Sequence, residues 1–541
     1  MEDPFGRINE GIQKLPRNNG TLHPVLIIRL AAALALMLVA CFVSMPQAVK
    51  VILLVLAVIV AAYDIVLELV DAVLNKQFFS APVLMVLILL LSFLVGRGWE
   101  AVLCAILYQV GLILVAFTAK KTKQSAVDML SPEDRDMRDR IAVILHDDKA
   151  GETELGNEMK RAAAPILELL VILAVLFAVI MPIATSLSFK DALRRTMILL
   201  ALALPGSYLA ALPLPGVVGL GFAARFGAVF SSARVLEKLQ KIKTVVIDKN
   251  GIFADSLPQF IGIKSEILDE KTFMEFVAHA VYYSDQPFAK AILAGQDRDY
   301  RLDLISDFRD IPGSGVELKI GGNSVTLARR ELLAERGEAV PYEGRQDAGV
   351  YYLMIAGKYV GKVLFSDHLN RQNEDLIPEL KDAGVERCVL LTEDSRSESE
   401  ALGTRLDADE VFAEFTDETK LRYLDTLDSV ETMYIYANSP EKHSNAAVDV
   451  RASRKGKYAD ALVDGKDLDH FAAVFSISRR VREITVENAV FAFVVKALLL
   501  FLAVTGRCTL WFAIFLEIAA ALGTQLNAIR VTKPPLLAKR S

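Results

Sequence analysis

Eight long apolar stretches constrain the fold of this chain more than any other feature. A helix that crosses a bilayer needs about 20 predominantly apolar residues. Of the 541 residues, 53% are hydrophobic, which exceeds the ~45–50% of ordinary soluble domains. The sequence therefore predicts an α-helical transmembrane bundle of about eight spans. The stretches are Leu26–Val43, Val49–Ala62, Ala81–Val95, Ala101–Phe117, Ile166–Ile183, Met197–Val229, Ala489–Val504 and Thr509–Leu522.

Charge patterning predicts the topology. Between the sixth and seventh stretches, roughly from Leu236 to Glu483, the sequence is charged and mixed and is long enough for two soluble domains. The positive-inside rule then predicts a multi-pass plasma-membrane protein with both termini and the large domain in the cytosol. The basic residues that carry this prediction are Arg7, Lys14, Arg17, Lys120, Lys121, Lys123, Arg479, Arg480 and Arg482.

The chain's overall charge and its cysteines exclude other classes. The net charge of −6 gives no support to a nucleic-acid partner, and the lipid bilayer is the partner that composition predicts. The four cysteines are scattered without a CxxC pair, so no disulfide framework and no terminal metal-chaperone module is expected.

The soluble part alternates strands and helices. Lys243–Ile247 is a short apolar run that ends at Asp248, as expected of a buried parallel strand. Residues 256–362 carry hairpin signals of their own and a helical spacing of apolar residues over Phe273–Gly295. Strands and helices alternate again from Val360 to Tyr436, with strands at Arg387–Leu391 and Met433–Tyr436. This pattern favours a doubly wound α/β domain with a second α+β domain inserted after its first strand.

Several motifs in this order resemble those of P-type ATPases. Asp248-Lys249-Asn250-Gly251 looks like the phosphorylation motif DKTGT, although Asn250, Ile252 and Ala254 replace the threonines of the longer DKTGTLT pattern. Ser284–Ile292 looks like SxHPLAxAI of the nucleotide domain. Gly313-Ser314-Gly315 resembles the GxG that approaches the nucleotide, and Thr392-Glu393-Asp394 stands where TGD is expected. The chain is thereby identified as resembling the heavy-metal P-type ATPases, whose soluble domain has the haloacid-dehalogenase-like fold.

The resemblance implies roles for individual residues. The catalytic set is Asp248 as nucleophile with Lys249, Thr392 and Lys420, and the nucleotide set is Gln286, Pro287, Gly313 and Gly315. The zinc/cadmium branch is the most similar, since Asn488, Lys496, Gly506, Trp511 and Glu517 resemble its last two membrane helices. The implied membrane ion path is Lys496, Glu517 and Pro205, although an ion pair that only clamps two helices explains Lys496 and Glu517 equally well.

The predicted domain boundaries follow from these motifs. They are 1–124 for the N-terminal tail and first four membrane helices, 125–164 for a short cytosolic linker, 165–230 for the fifth and sixth membrane helices, 231–255 and 363–480 for the two parts of the phosphorylation domain, 256–362 for the nucleotide-type domain, 481–530 for the last two membrane helices and 531–541 for the C-terminal tail.

Three departures from the family pattern bear on activity. Where GDGxND would supply a Mg²⁺ carboxylate, the chain has Ala437, and only Glu441 keeps a carboxylate, so Asp248 and Glu441 are predicted to bind Mg²⁺ weakly. The linker 125–164 replaces a complete actuator domain with its TGE loop, and Gly151-Glu152-Thr153 only scrambles that motif. The CPC motif aligns with Leu204-Pro205-Gly206, which leaves no soft-metal cysteine site.

Three functions remain open from the sequence. The first is a pseudo-pump, impaired in ATP hydrolysis, that binds or regulates in the membrane, with ATP and a separate pump or actuator subunit as candidate partners. The second is an active ATP-driven metal-cation transporter with Asp248 as phospho-acceptor. The third is a phosphatase, which is the weakest because Asn250 stands where a general-acid aspartate is needed.

Overall fold

The computed structural model describes residues 24–131, 135–147, 149–204, 206–254, 258–294, 301–341, 349–366, 370–394, 396–437, 444–452, 459–465, 468 and 470–532. The chain divides into two compact units. The membrane unit comprises the described parts of Met1–Arg225, Ser231–Glu237 and Ser476–Ser541, and the soluble unit comprises those of Phe226–Phe230 and Lys238–Phe475.

The helices and strands follow in chain order. The helices are α1 (Pro24–Phe42), α2 (Gln47–Leu74), α3 (Ala81–Leu94), α4 (Gly98–Asp128), α5 (Arg135–His146), α6 (Glu154–Ala184), α7 (Phe189–Leu202), α8 (Gly206–Ala211), α9 (Leu214–Arg225), α10 (Ala233–Lys238), α11 (Glu270–Val281), α12 (Pro287–Leu293), α13 (Arg330–Glu335), α14 (Leu376–Asp382), α15 (Arg396–Leu406), α16 (Asp417–Leu424), α17 (Ala473–Val504) and α18 (Leu510–Ala528). The strands are β1 (Ala228–Phe230), β2 (Thr244–Asp248), β3 (Gln259–Ser265), β4 (Ile305–Ile311), β5 (Gly315–Ile320), β6 (Asn323–Ala328), β7 (Val350–Ile355), β8 (Lys358–Ser366), β9 (Arg387–Leu391), β10 (Glu410–Phe412), β11 (Thr432–Tyr436), β12 (Val448–Arg451) and β13 (Ala461–Val463).

The membrane unit supports a multi-pass architecture. Among the described residues, six helices are long and apolar enough to cross a membrane, and α3 is a shorter apolar helix beside them. The turns that follow α3 and α17 end on glycines with positive φ, Gly96 at +82° and Gly506 at +73°. In both turns the next residue's N–H bonds back to a carbonyl five residues earlier, which closes the helix end as a Schellman motif.

The sixth apolar stretch is not one helix. The sequence predicted a continuous segment over Met197–Val229, and the structure instead has α7, α8 and α9 followed by strand β1. Prolines at positions 205, 213 and 215 explain the breaks, because proline lacks the N–H and its ring clashes with the preceding turn. The segment is therefore not one uninterrupted helix, and its described parts 197–202 in α7 and 214–224 in α9 are buried.

The linker between α4 and α6 contains one helix of its own within the described residues, α5. Gly151-Glu152-Thr153 lies at the start of α6, where the Thr153 hydroxyl accepts the Gly156 N–H at 3.0 Å as an N-cap. Glu152 forms an ion pair with Lys160 at 2.9 Å. These three residues therefore have a structural role in beginning a helix.

The soluble unit has two sheets. The first has seven strands in the order β1-β13-β12-β11-β2-β9-β10, with all pairs parallel except β1 with β13. The second is antiparallel, with six strands in the order β3-β8-β7-β6-β5-β4, and it is inserted between β2 and β9. Strand β8 continues this second sheet to Ser366, past the predicted boundary at 362.

The central strands form where apolar side chains run without a break. In β2, four successive residues ending at Asp248 are buried, as in a parallel strand that is covered on both faces. The helix predicted over Phe273–Gly295 is interrupted, because α11 ends at Val281 and α12 begins at Pro287. Proline is favoured at the first position of a helix and disfavours helical geometry in the residue before it.

Candidate functional site

Asp248 lies at the carboxyl end of β2 and is 2% exposed. Its Oδ2 accepts a hydrogen bond from Lys420 Nζ at 2.9 Å, and its Oδ1 accepts one from the Asn250 backbone N–H at 3.3 Å. Burial raises the pKa of Asp248 to about 6, against the opposing effect of the Lys420 ammonium. Asp248 is therefore an ionised carboxylate at neutral pH and is held by a lysine.

Lys420 reaches this carboxylate from α16, which begins after the N-cap Thr416. The Lys420 side chain is also 2% exposed, and its ammonium lies 2.9 Å from Glu393 Oε1 as well as from Asp248. Burial lowers the pKa of Lys420, but the two carboxylates outweigh it and the net shift is upward. One buried ammonium is thus shared by two carboxylates and can balance the charge of only one of them.

A second ion pair completes the cluster. Lys249, also buried, binds Asp394, and the Thr392 hydroxyl donates to the same Asp394 carboxylate at 3.1 Å. Burial raises the pKa of Asp394, but the Lys249 ammonium outweighs that effect and holds the pKa below its usual range. The structure therefore brings all four predicted catalytic residues to one end of the sheet, where Lys249 and Thr392 bind Asp394 and Lys420 binds Asp248.

The loop after Asp248 is packed like a core segment. Ile252, Phe253 and Ala254 are buried, and Gly251 takes φ +78° with its N–H bonded to the Ala254 carbonyl at 2.7 Å. Asn373 is fully buried, and its Nδ2 donates to the carbonyls of Ile252 and Gly465. The apolar residues that replace the threonines of DKTGTLT thus fill an interior position.

The described residues beside Asp248 do not fit a Mg²⁺ site. In the sheet register Ile435 pairs with Ile247, so Ala437 comes just past the position opposite Asp248 and supplies no oxygen. The other carboxylates at this edge, Glu393 and Asp394, are bound by lysines. Among the described residues no group of three His, Cys, Asp or Glu side chains is placed to hold a metal ion. Glu441, the predicted substitute ligand, lies outside them.

The predicted nucleotide residues form a hydrogen-bonded turn. Gln286 Nε2 donates to the carbonyls of Ile311 and Gly315 and to the Asp310 carboxylate, and its Oε1 accepts the Gly313 N–H at 3.2 Å. The Gln286 amide therefore forms its hydrogen bonds with groups of the protein itself.

Two further members of the nucleotide set, Pro287 and Gly315, have structural roles. Pro287 occupies the first position of α12. A Cβ on Gly315 would come within 2.3 Å of the Leu327 carbonyl, so glycine is needed there for strand packing.

Gly313 of the inserted domain lies close to the end of the first sheet that carries Asp248. It takes φ +74°, and a Cβ there would lie 3.3 Å from the Glu393 carbonyl. Arg329, at the start of α13, binds Glu398 of α15 at 2.8 Å and lies over the Tyr351 ring. Sequence reasoning missed Arg329, Asn373 and Asp394. Only Asp394 had a signal, its place in the Thr392-Glu393-Asp394 motif.

In the membrane unit, Lys496 and Glu517 form a buried ion pair between α17 and α18 at 2.9 Å. Lys496 Nζ also donates to the carbonyls of Leu202 and Leu204, at 2.8 and 2.9 Å. These carbonyls belong to the last residue of α7 and to a residue just after it, where a helix leaves its last acceptors without intrahelical partners. The Lys496 ammonium therefore supplies hydrogen bonds to the carbonyls that the break after α7 leaves without intrahelical partners. The third residue of the predicted ion path, Pro205, lies outside the described residues.

Replacing Lys496 with methionine is expected to destabilise the membrane unit by about 3–5 kcal/mol, because Glu517 would be left as an unpaired buried charge. The exposed Lys190→Met serves as control, and Lys496→Met/Glu517→Leu should recover part of the loss. Thermal unfolding of the full chain in detergent measures these effects. Equal unfolding temperatures for Lys496→Met and wild type would show that the pair does not clamp the helices.

The fold and this cluster together define a class. A membrane helical bundle together with an α/β domain, in which strand β2 ends at a lysine-bound aspartate and is followed by an inserted sheet, is the arrangement expected from the resemblance to P-type ATPases. Among known proteins, "Cadmium, zinc and cobalt-transporting ATPase" of Bacillus subtilis is 27% identical over 379 residues, which are 67% of this chain and 54% of that protein. "Zinc-transporting ATPase" of Synechocystis is 27% identical over 356 residues, 63% of this chain and 49% of that protein.

Solved structures agree on the fold. A zinc-transporting PIB-type ATPase in the E2.Pi state superimposes with a TM-score of 0.55 and 16% identity, covering 94% of this chain and 99% of that chain. The E2P state gives a TM-score of 0.51 with 16% identity, covering 93% and 99%. No family model matches the chain.

The chain is similar to heavy-metal, PIB-type ATPases, which are multi-pass membrane proteins with large cytosolic domains. It spans about half the length of the curated relatives it matches. P-type ATPases in general use ATP and Mg²⁺.

Proposed function

We propose that this protein is a catalytically degenerate relative of the heavy-metal ATPases, a pseudo-pump that keeps the fold for a binding or regulatory role in the membrane. The observation that carries the proposal is the position of Glu393. Its carboxylate lies 2.9 Å from Lys420 Nζ, on the same ammonium that holds Asp248.

Charge explains why this position matters. Phosphoryl transfer to an aspartate needs cationic groups that stabilise the charge on the phosphoryl oxygens. Two like charges about 4 Å apart repel by about 4 kcal/mol at an effective dielectric constant of 20. Because Glu393 is partly exposed, solvent reduces this value, but the carboxylate still opposes a phosphoryl group on Asp248. Glu393 stands at the position where the TGD motif of the family has glycine.

Two other features support the same proposal. Ala437 brings no carboxylate to the edge of the sheet beside Asp248, and the linker that replaces the actuator domain begins a membrane helix instead of carrying a TGE loop. In a regulatory role the protein would act on a partner. A separate full-length pump or an actuator subunit would supply the actuator domain that the linker replaces.

One observation favours the alternative of an active metal-cation transporter. Asp248 is ionised at neutral pH and is bound by Lys420, as a phospho-acceptor at the end of a parallel strand should be. In that alternative Glu441 would act as substitute Mg²⁺ ligand, and Lys496 with Glu517 would line the ion path.

Phosphoenzyme formation separates the two functions. Purified full-length protein in detergent is incubated with γ-labelled ATP and Mg²⁺, with and without zinc, beside an Asp248→Asn control. We expect no acid-stable label above the control, because the phosphoryl group meets Glu393 and a poor Mg²⁺ site. A hydroxylamine-sensitive label that is lost in Asp248→Asn would support the transporter instead. Calorimetry with ATP tests separately whether nucleotide still binds.

A further inference from the structure

The membrane unit contains a cavity of about 210 Å³ between α4, α18 and the short helices α8 and α9. Its lining residues on α4 recur every three to four positions from Tyr108 to Lys123, and those on α18 recur in the same way from Ile514 to Gln525. At about 1.5 Å per residue, the stripe on α4 is about 22 Å long. The cavity therefore runs along the helices, from the level of mid-bilayer toward one membrane surface.

The lining is suited to hydrocarbon. Glu517 and Gln525 belong to it, but Glu517 binds Lys496 and Gln525 Nε2 donates to the Val115 carbonyl at 3.2 Å. Most of the remaining wall is alanine, leucine, valine, isoleucine, glycine and proline. A polar solute loses its hydration in such a place without gaining partners, so the wall favours an apolar occupant.

Small side chains keep this space open. Gly206 lines the cavity, and a Cβ there would meet nothing within 4 Å. Gly111 differs, since its Cβ would lie 2.6 Å from Ile518 Cγ1, and glycine is required there for α4 to approach α18. Protein interiors are close-packed and an unfilled cavity of this size is destabilising. The helices thus approach closely beside the cavity, while the cavity itself remains available to a ligand.

Positive charge marks one end of the cavity. Lys123 lines it, and Lys120 lies one turn earlier on the same face of α4 and is exposed. Lysines next to the end of a membrane helix lie at the cytosolic surface, where they attract the anionic lipids of that leaflet. An apolar channel with lysines at its surface end is complementary in charge and shape to an anionic amphiphile.

We propose that this cavity binds one acyl chain of an anionic phospholipid from the cytosolic leaflet, with the lipid phosphate at Lys120 and Lys123. This binding is independent of catalysis at Asp248. It gives the membrane unit a specific lipid ligand that fills the space between α4 and α18.

The test uses delipidated full-length protein in detergent, to which phosphatidylglycerol or phosphatidylcholine with the same acyl chains is added. Native mass spectrometry counts lipid adducts, and thermal unfolding measures stabilisation. We expect a phosphatidylglycerol adduct and a rise of several degrees in the unfolding temperature, with little effect of phosphatidylcholine.

Variants locate the site. Ala116→Trp should fill the cavity and reduce the adduct at least tenfold, whereas Leu114→Trp, on the lipid-exposed side of the same helix, should retain it. Lys120→Gln/Lys123→Gln should weaken phosphatidylglycerol binding without unfolding the protein, and this pair remains informative if Ala116→Trp does not fold. Equal binding of both lipids, binding of oleate but not of phosphatidylglycerol, or full binding to folded Ala116→Trp would each overturn the proposal.

Discussion

Replacing Glu393 with glycine and Ala437 with aspartate in one protein is expected to restore phosphoenzyme formation from ATP, by about tenfold or more over wild type. The first change frees the Lys420 ammonium from a competing carboxylate 2.9 Å away. The second supplies an oxygen ligand at the edge of the sheet beside Asp248, where the register places Ala437. A tenfold gain corresponds to about 1.4 kcal/mol, less than the repulsion that one nearby charge produces. Acid-quenched electrophoresis with γ-labelled ATP measures the label.

The controls test the two substitutions separately and together. Each single variant should stay near background, because cationic stabilisation and Mg²⁺ coordination are both required for the transfer. Asp248→Asn on the double-variant background should abolish the label. Glu386→Gly, in an exposed loop at the opposite end of β9, is the matched change that should have no effect. A folded double variant that binds ATP and gains no label would show that inactivity has another origin.

Much of the fold of the soluble unit could be predicted because its signals are local. The apolar runs that predicted strands at Arg387–Leu391 and Met433–Tyr436 correspond to β9 and β11, within one residue. Breaks inside apolar segments were harder to predict. The segment Met197–Val229 is apolar throughout, so its hydropathy hides the helix ends that its prolines impose.

The site was predicted less completely, because its geometry depends on contacts between distant parts of the chain. Motif order predicted that Asp248 and Lys420 would meet, and the structure places them 2.9 Å apart. The same motifs gave no sign that the Glu393 carboxylate would share that ammonium. Nor did they show that Asn373 would hold the loop after Asp248, since a single asparagine carries no local pattern.

The role of Gln286 illustrates a different difficulty. Its position in a nucleotide-domain motif predicted ligand contact, whereas the structure shows its amide bonded to the turn at Ile311–Gly315. A residue type in a motif indicates ancestry, but only the local hydrogen bonds show how the side chain is used. Whether Gln286 contacts a nucleotide stays a prediction.

Replacing Lys420 with methionine is expected to cost the soluble unit about 3–5 kcal/mol, because it leaves Asp248 as a buried, uncompensated carboxylate. Lys243→Met, which breaks the exposed pair with Glu431, should leave the free energy of unfolding close to that of wild type. Calorimetric unfolding of the full chain in detergent measures both. Asp248→Asn/Lys420→Met should cost less than Lys420→Met alone, since the buried charge is then removed together with its partner.

The loss in Lys420→Met should depend on pH in a defined direction. Burial already raises the pKa of Asp248 to about 6, above its unfolded value, and removal of the ammonium raises it further. Between the pKa of Asp248 in the unfolded chain and its pKa in the folded variant, the folded variant binds a proton that the unfolded chain does not. The stability of the variant therefore falls as pH rises through this window. The difference from wild type should therefore be smaller at about pH 5 than at about pH 8. A loss that is constant across this range would mean that Lys420 stabilises the domain through packing of its side chain and not through its charge.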